Sequence, residues 1–62
     1  MEIKLYDKVL LASGKTAHIV EIWESGIAYE ADIADGDGEY TTDTIKQSDI
    51  VKILSVQQGI TA

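Results

Sequence analysis

At 62 residues, with 45% hydrophobic and 26% charged side chains, the chain has room for one domain and lies well away from the weakly hydrophobic, highly charged compositions of disorder. A chain this short buries only roughly 60% of the surface its unfolded form exposes, and without cysteine no disulfide can offset that. Five basic residues against eleven acidic ones give a net charge of −6, which repels phosphate backbones and sets nucleic acid apart as an unexpected partner.

Glycines at 14, 26, 36 and 38 cut the chain into apolar runs of strand length, with no proline and no internal repeat. Leu5 to Leu11 reads as a first strand entered through Tyr6 and Asp7, with Val9 and its leucine neighbours as core candidates. Ala12-Ser13-Gly14-Lys15 is turn chemistry. Thr16 to Trp23 then carries Ile19, Val20, Ile22 and Trp23, a β-branched and aromatic run typical of strands. The adjacent Ile19-Val20 pair breaks strict alternation and predicts a bulge, or a strand covered on both faces.

After a Glu24-Ser25-Gly26 turn, Tyr29, Ala31 and Ile33 alternate with Ala28, Glu30 and Asp32, so one face is wet. Ala34-Asp35-Gly36-Asp37-Gly38 is a second hairpin turn, followed by a threonine-rich strand from Glu39 to Ile45. Lys46-Gln47-Ser48-Asp49 reads as a single helical turn, and Ile50 to Leu54 as the last strand. The domain is expected to span residues 1–55, with residues 56–62, Gly59 among them, forming a frayed tail.

Five short strands with a 3-10 turn before the fifth predict an all-β fold, a small five-stranded barrel of the Src-homology-3-like kind. The run from Gly14 to Ile33 contains Val20-Glu21-Ile22 and Ala28-Tyr29-Glu30-Ala31-Asp32-Ile33, and is followed by Asp37-Gly38 and Thr44-Ile45. In these residues the chain resembles a bacterial family catalogued as domain of unknown function 4926, and more broadly the KOW-type small barrels. The resemblance implies the barrel architecture and brings no biochemical activity with it.

The residues that could carry chemistry are few. His18 is the only imidazole, and its neighbours Ala17 and Ile19 offer it no partner for general base work. No serine sits in a Gly-x-Ser-x-Gly elbow. Gly14-Lys15-Thr16 matches the end of a phosphate-binding loop, but Val9 stands where the first glycine belongs, and a strand follows where a helix is needed. Catalytic and cofactor-binding residues are therefore expected to be none.

The acidic loop 32–39 resembles part of a calcium loop. With Gly38 at the obligatory glycine, Asp35 and Asp37 fall at the third and fifth ligand positions, but Ile33 and Thr44 occupy the first and twelfth. A solvated turn is the expectation, with weak divalent binding at Asp35 and Asp37 as the alternative.

Trp23, Tyr40 and Tyr6 are the candidate partner-binding residues, because exposed aromatics anchor interfaces. Tyr29 is expected to fill the core. The expected function is a noncatalytic protein-binding or accessory module, acting through a strand edge or an aromatic patch and open to self-association. KOW-like nucleic-acid or ribosome-associated binding is the alternative. Met1-Glu2-Ile3-Lys4 lacks a basic region followed by an apolar run, and no stretch approaches the roughly 18 apolar residues of a membrane span. A soluble, cytoplasmic protein with no membrane contact is expected.

Overall fold

The computed structural model describes residues 2–55; the predicted tail at 56–62 lies outside them. Five antiparallel strands and one 3-10 turn follow one another as β1 (Lys8–Leu11), β2 (Thr16–Glu24), β3 (Ala28–Ala34), β4 (Tyr40–Lys46), the turn Gln47–Asp49, and β5 (Ile50–Ser55). They form one sheet in the order β4-β3-β2-β1-β5, so the last strand returns to pair with the first. The all-β class and the number and order of elements are those predicted. β4 and β5 are the two ends of this order, and among the described residues no pairing joins them.

Each hairpin turns where a glycine supplies a backbone that other residues resist. In the first, Gly14 N–H donates to Leu11 O at 2.9 Å, and Gly14 at φ 95° lets Lys15 O accept from Leu11 N–H at 2.8 Å. In the second, Ile27 N–H donates to Glu24 O at 2.9 Å across Gly26.

β2 and β3 run in register from Ala17 opposite Ile33 to Glu24 opposite Ala28, with irregularities between Ile19 and Glu21 and between Ile22 and Glu24. The first is the bulge that Ile19-Val20 predicts. Val20 is the extra residue, so both Ile19 and Ile22 can face inward although three positions apart.

A helix-free sheet keeps a dry core only by bending over it. Val9, Ile19 and Ala31 are each fully buried, on three adjacent strands, and share one cluster with Ile3, Ile45 and Ile50. Bulges supply the bend: β5 has two more against β1, which leave Val51 and Leu54 without a partner opposite. Both are exposed, although the sequence reads as a continuous β-branched strand.

The first strand is shorter than the predicted Leu5–Leu11. Lys4 to Asp7 form a turn, with Asp7 N–H donating to Lys4 O at 3.2 Å and Tyr6 at φ 69°, so regular pairing begins only at Lys8. Ile3, ahead of that turn, is buried.

Tyr29 is the largest fully buried side chain. Its hydroxyl accepts from Gly26 N–H at 2.9 Å and donates to Gln47 Oε1, while Gln47 N–H donates to Ile27 O at 2.8 Å. One phenol thus ties the β2–β3 turn to the 3-10 turn through the core. Tyr29→Phe keeps the ring and leaves both partners unpaired, and is expected to cost about 1–2 kcal/mol. Urea denaturation followed by circular dichroism measures this; an unchanged midpoint would mean that water replaces the hydroxyl at no cost.

Candidate interaction surface

Alternation sends Tyr29, Ala31 and Ile33 inward and Ala28, Glu30, Asp32 and Ala34 outward. The strand register builds the outer face in rows. Lys8, His18, Asp32 and Thr42 lie opposite one another across four strands; Glu21, Glu30 and Thr44 form the next row; Ala28 and Lys46 form another.

Trp23 stands at the hairpin end of this face and is 61% exposed. It is nevertheless held: its Nε1–H donates to Glu30 Oε1 at 3.2 Å, and the same oxygen accepts from Thr44 Oγ1–H at 2.9 Å. The irregularity between Ile22 and Glu24 turns Trp23 outward, beside Ile22, which packs against the core.

Tyr40 shares the face, opposite Ala34, and is as exposed as Trp23. The two rings stand at opposite ends, since Ala34 lies six positions along β3 from the Ala28 row, a span of roughly 20 Å. Tyr6 belongs to neither end; its N–H donates to Ile19 O at 2.7 Å at the entrance to β1. The three aromatic candidates are all surface residues and do not form one contiguous patch.

His18 is exposed, with Lys8 and Asp32 opposite it on the two neighbouring strands. Its immediate sequence neighbours do not reveal Asp32, which only the register brings across. Asp32 Oδ1 accepts from Thr42 Oγ1–H.

In the acidic loop, Asp35 Oδ1 accepts from Asp37 N–H at 2.8 Å, and Asp35 N–H donates to Glu39 O at 3.1 Å. Asp35 thus serves its own turn. Among the described residues no three His, Asp or Glu side chains converge as metal ligands would. A shallow cleft of about 220 Å³ lies between this turn and the β1–β2 turn, lined by Gly14, Lys15, Thr16, Ala34, Asp35 and Gly36. Among the described residues no helix is long and apolar enough to cross a membrane.

Asp7 is not among the candidate site residues. It is 1% exposed, the only buried polar residue among the described residues, and its Oδ2 accepts from Lys4 N–H at 2.9 Å. Its backbone C=O accepts from Ile19 N–H at 3.0 Å, so this residue fastens the N-terminal turn to β2. The signal available was position: Asp is a preferred turn residue because its carboxylate bonds nearby backbone N–H groups.

Comparison of the chain with protein-family models, with curated proteins and with solved structures gave no match.

Among the described residues Tyr6 is the one residue other than glycine with positive φ, in a turn position that glycine or asparagine fills without strain. With its ring 57% exposed, little packing repays that conformation. Tyr6→Gly is expected to leave stability within about 0.5 kcal/mol of the parent, whereas Tyr6→Val is expected to cost about 1–2 kcal/mol. Thermal denaturation of the pair tests this, and equal losses would show that the tyrosine ring itself holds the fold.

Proposed function

We propose that the chain is a noncatalytic protein-binding module of the cytoplasm, built on an open barrel of the Src-homology-3-like kind and related to the domain of unknown function 4926 family. What supports the barrel is the strand order, in which a 3-10 turn leads β5 back to β1, together with fully buried residues on three adjacent strands of a single helix-free sheet.

The observation that carries the functional reading is Trp23. A tryptophan that is 61% exposed leaves much apolar area in water, and its Nε1–H is already satisfied by Glu30. It needs no further polar partner, and its orientation is restrained before any contact forms. Fixed, exposed tryptophans are the side chains that interfaces use as anchors, since little rotamer entropy remains to be lost on binding.

The face is better suited to a contact than either edge of the sheet. At the β4 edge, Thr44 N–H donates to Asp43 Oδ1 at 2.8 Å and Lys46 N–H to Asp49 Oδ2 at 3.0 Å. An added strand would have to displace both carboxylates. At β5, the two bulges spoil the regular spacing that strand addition requires.

Affinity capture from host lysate with the full chain tests the reading. Parent protein is expected to retain a partner that Trp23→Ala loses by about tenfold or more, with unchanged circular dichroism. A partner retained equally by both would move the contact off this face.

A further inference from the structure

We infer that the outer face of β2–β3–β4 receives a lysine- or arginine-bearing extended segment of another protein, its cationic side chain seated between Glu21 and Glu30 beside the Trp23 ring. This deepens the protein-binding reading and rests on it: the anchor is the same, and the addition is the chemistry of what it holds.

Three observations point to a cation. First, Glu21 and Glu30 are direct cross-strand partners on the outer face. Like charges at facing positions of an antiparallel pair oppose each other and weaken the sheet. Glu30 is fixed there, accepting through Oε1 from both Trp23 and Thr44, so it cannot simply swing away.

Second, Trp23 is a neighbour of that pair through the Glu30 bond, and its ring is 61% exposed. An indole face next to two carboxylates suits a Lys ammonium or an Arg guanidinium, which gains from the ring quadrupole and from the anions together.

Third, the charge of the whole chain is unevenly spread. Six of the eleven acidic residues and only Lys46 among the lysines fall between Ala28 and Lys46, while Lys4, Lys8, Lys15 and Lys52 belong to β1, β5 and the segments flanking them. The β3–β4 half is therefore strongly negative and draws a basic partner toward it, and Glu30 and Asp32 carry part of that charge on the outer face. A second copy is less suited to the site, since its net charge is −6 as well. An extended segment fits because alternate residues of a strand reach one side, and Asp32, two positions beyond Glu30 on β3, carries the next outward carboxylate along that strand.

Trp23 is the only tryptophan, so its emission reports this site directly. The probe is an acetylated, amidated octapeptide of alternating lysine and threonine, with an alternating glutamate and threonine peptide as control. At low ionic strength the lysine peptide is expected to change Trp23 emission saturably, added salt to weaken it, and the glutamate peptide to do nothing.

Glu21 is exposed, so Glu21→Gln is not expected to disturb the fold. It is expected to weaken the lysine peptide roughly threefold to fivefold while raising the thermal midpoint of the free protein, because the same change removes a repulsion and a ligand. Asp37→Asn deletes an equal charge in the β3–β4 turn and is expected to weaken the peptide by less than about twofold, its share of the general field.

No emission change up to millimolar lysine peptide overturns the inference, as does equal weakening by Asp37→Asn, which would reduce the effect to overall charge. A concentration-dependent rise in sedimentation coefficient that alters Trp23 emission without peptide would give the face to a second copy and overturn it too. If capture from lysate depends on Trp23 while no lysine peptide binds, this inference fails alone and the protein-binding reading stands; if neither occurs, both fail.

Discussion

Among the described residues there is one sheet and no α-helix to lay over its apolar face, so the sheet must cover itself. Every other feature of this molecule follows from how that bend is produced and fastened. Bulges at Val20 in β2 and at Val51 and Leu54 in β5 produce it, each adding a residue to one strand and increasing local twist. Tyr29 fastens it: its ring occupies the core, while its hydroxyl joins Gly26 to Gln47 and so holds the β2–β3 turn against the 3-10 turn. A leucine could fill part of that volume but would leave both turns untied. In so small a domain, one such link is a large fraction of the total stability.

The entrance to β1 is secured by different chemistry. There the chain enters through a turn whose strained residue is Tyr6, and Asp7 compensates by accepting from Lys4 N–H with its carboxylate and from Ile19 N–H with its backbone. Ala12 N–H donates to Asp49 O at 2.9 Å, which joins the β1–β2 turn to the 3-10 turn as well. The 3-10 turn is thus the common anchor of both hairpins. It also carries the chain from β4, one end of the strand order, to β5 at the other.

Much of this was legible because glycine and alternation are local signals. The turns at Gly14, Gly26 and Gly36–Gly38 all carry positive φ, and the alternation from Ala28 to Ile33 sorts that strand into its two faces. Even the β2 bulge can be read, since two adjacent branched residues cannot both face inward in a regular strand. What the sequence hides depends on residues far apart in the chain. Leu5 and Tyr6 look like strand residues until the bonds that tie Tyr6 and Asp7 to Ile19 are known. Val51 and Leu54 look like core until the β5 register is known. The same holds for the interaction surface: Trp23 was visible as a candidate anchor, but Glu30 and Thr44 join it only through pairings across three strands.

The outer face also differs from what stability alone would favour. A sheet surface selected only to be soluble and stable would pair opposite charges across strands, and lysines to do so are present elsewhere in the chain. Instead, two glutamates face each other, the oxygen of one is spent on orienting a tryptophan, and that tryptophan remains mostly in water. Each feature singly costs a fraction of a kcal/mol to about 1 kcal/mol, within what a sheet tolerates. Their concurrence at one location, on a domain whose small core leaves little stability to spare, marks where local rules are broken, with the hydrogen bonds from Trp23 and Thr44 to Glu30 offsetting only part of the cost. Such departures are where a function beyond folding is to be sought.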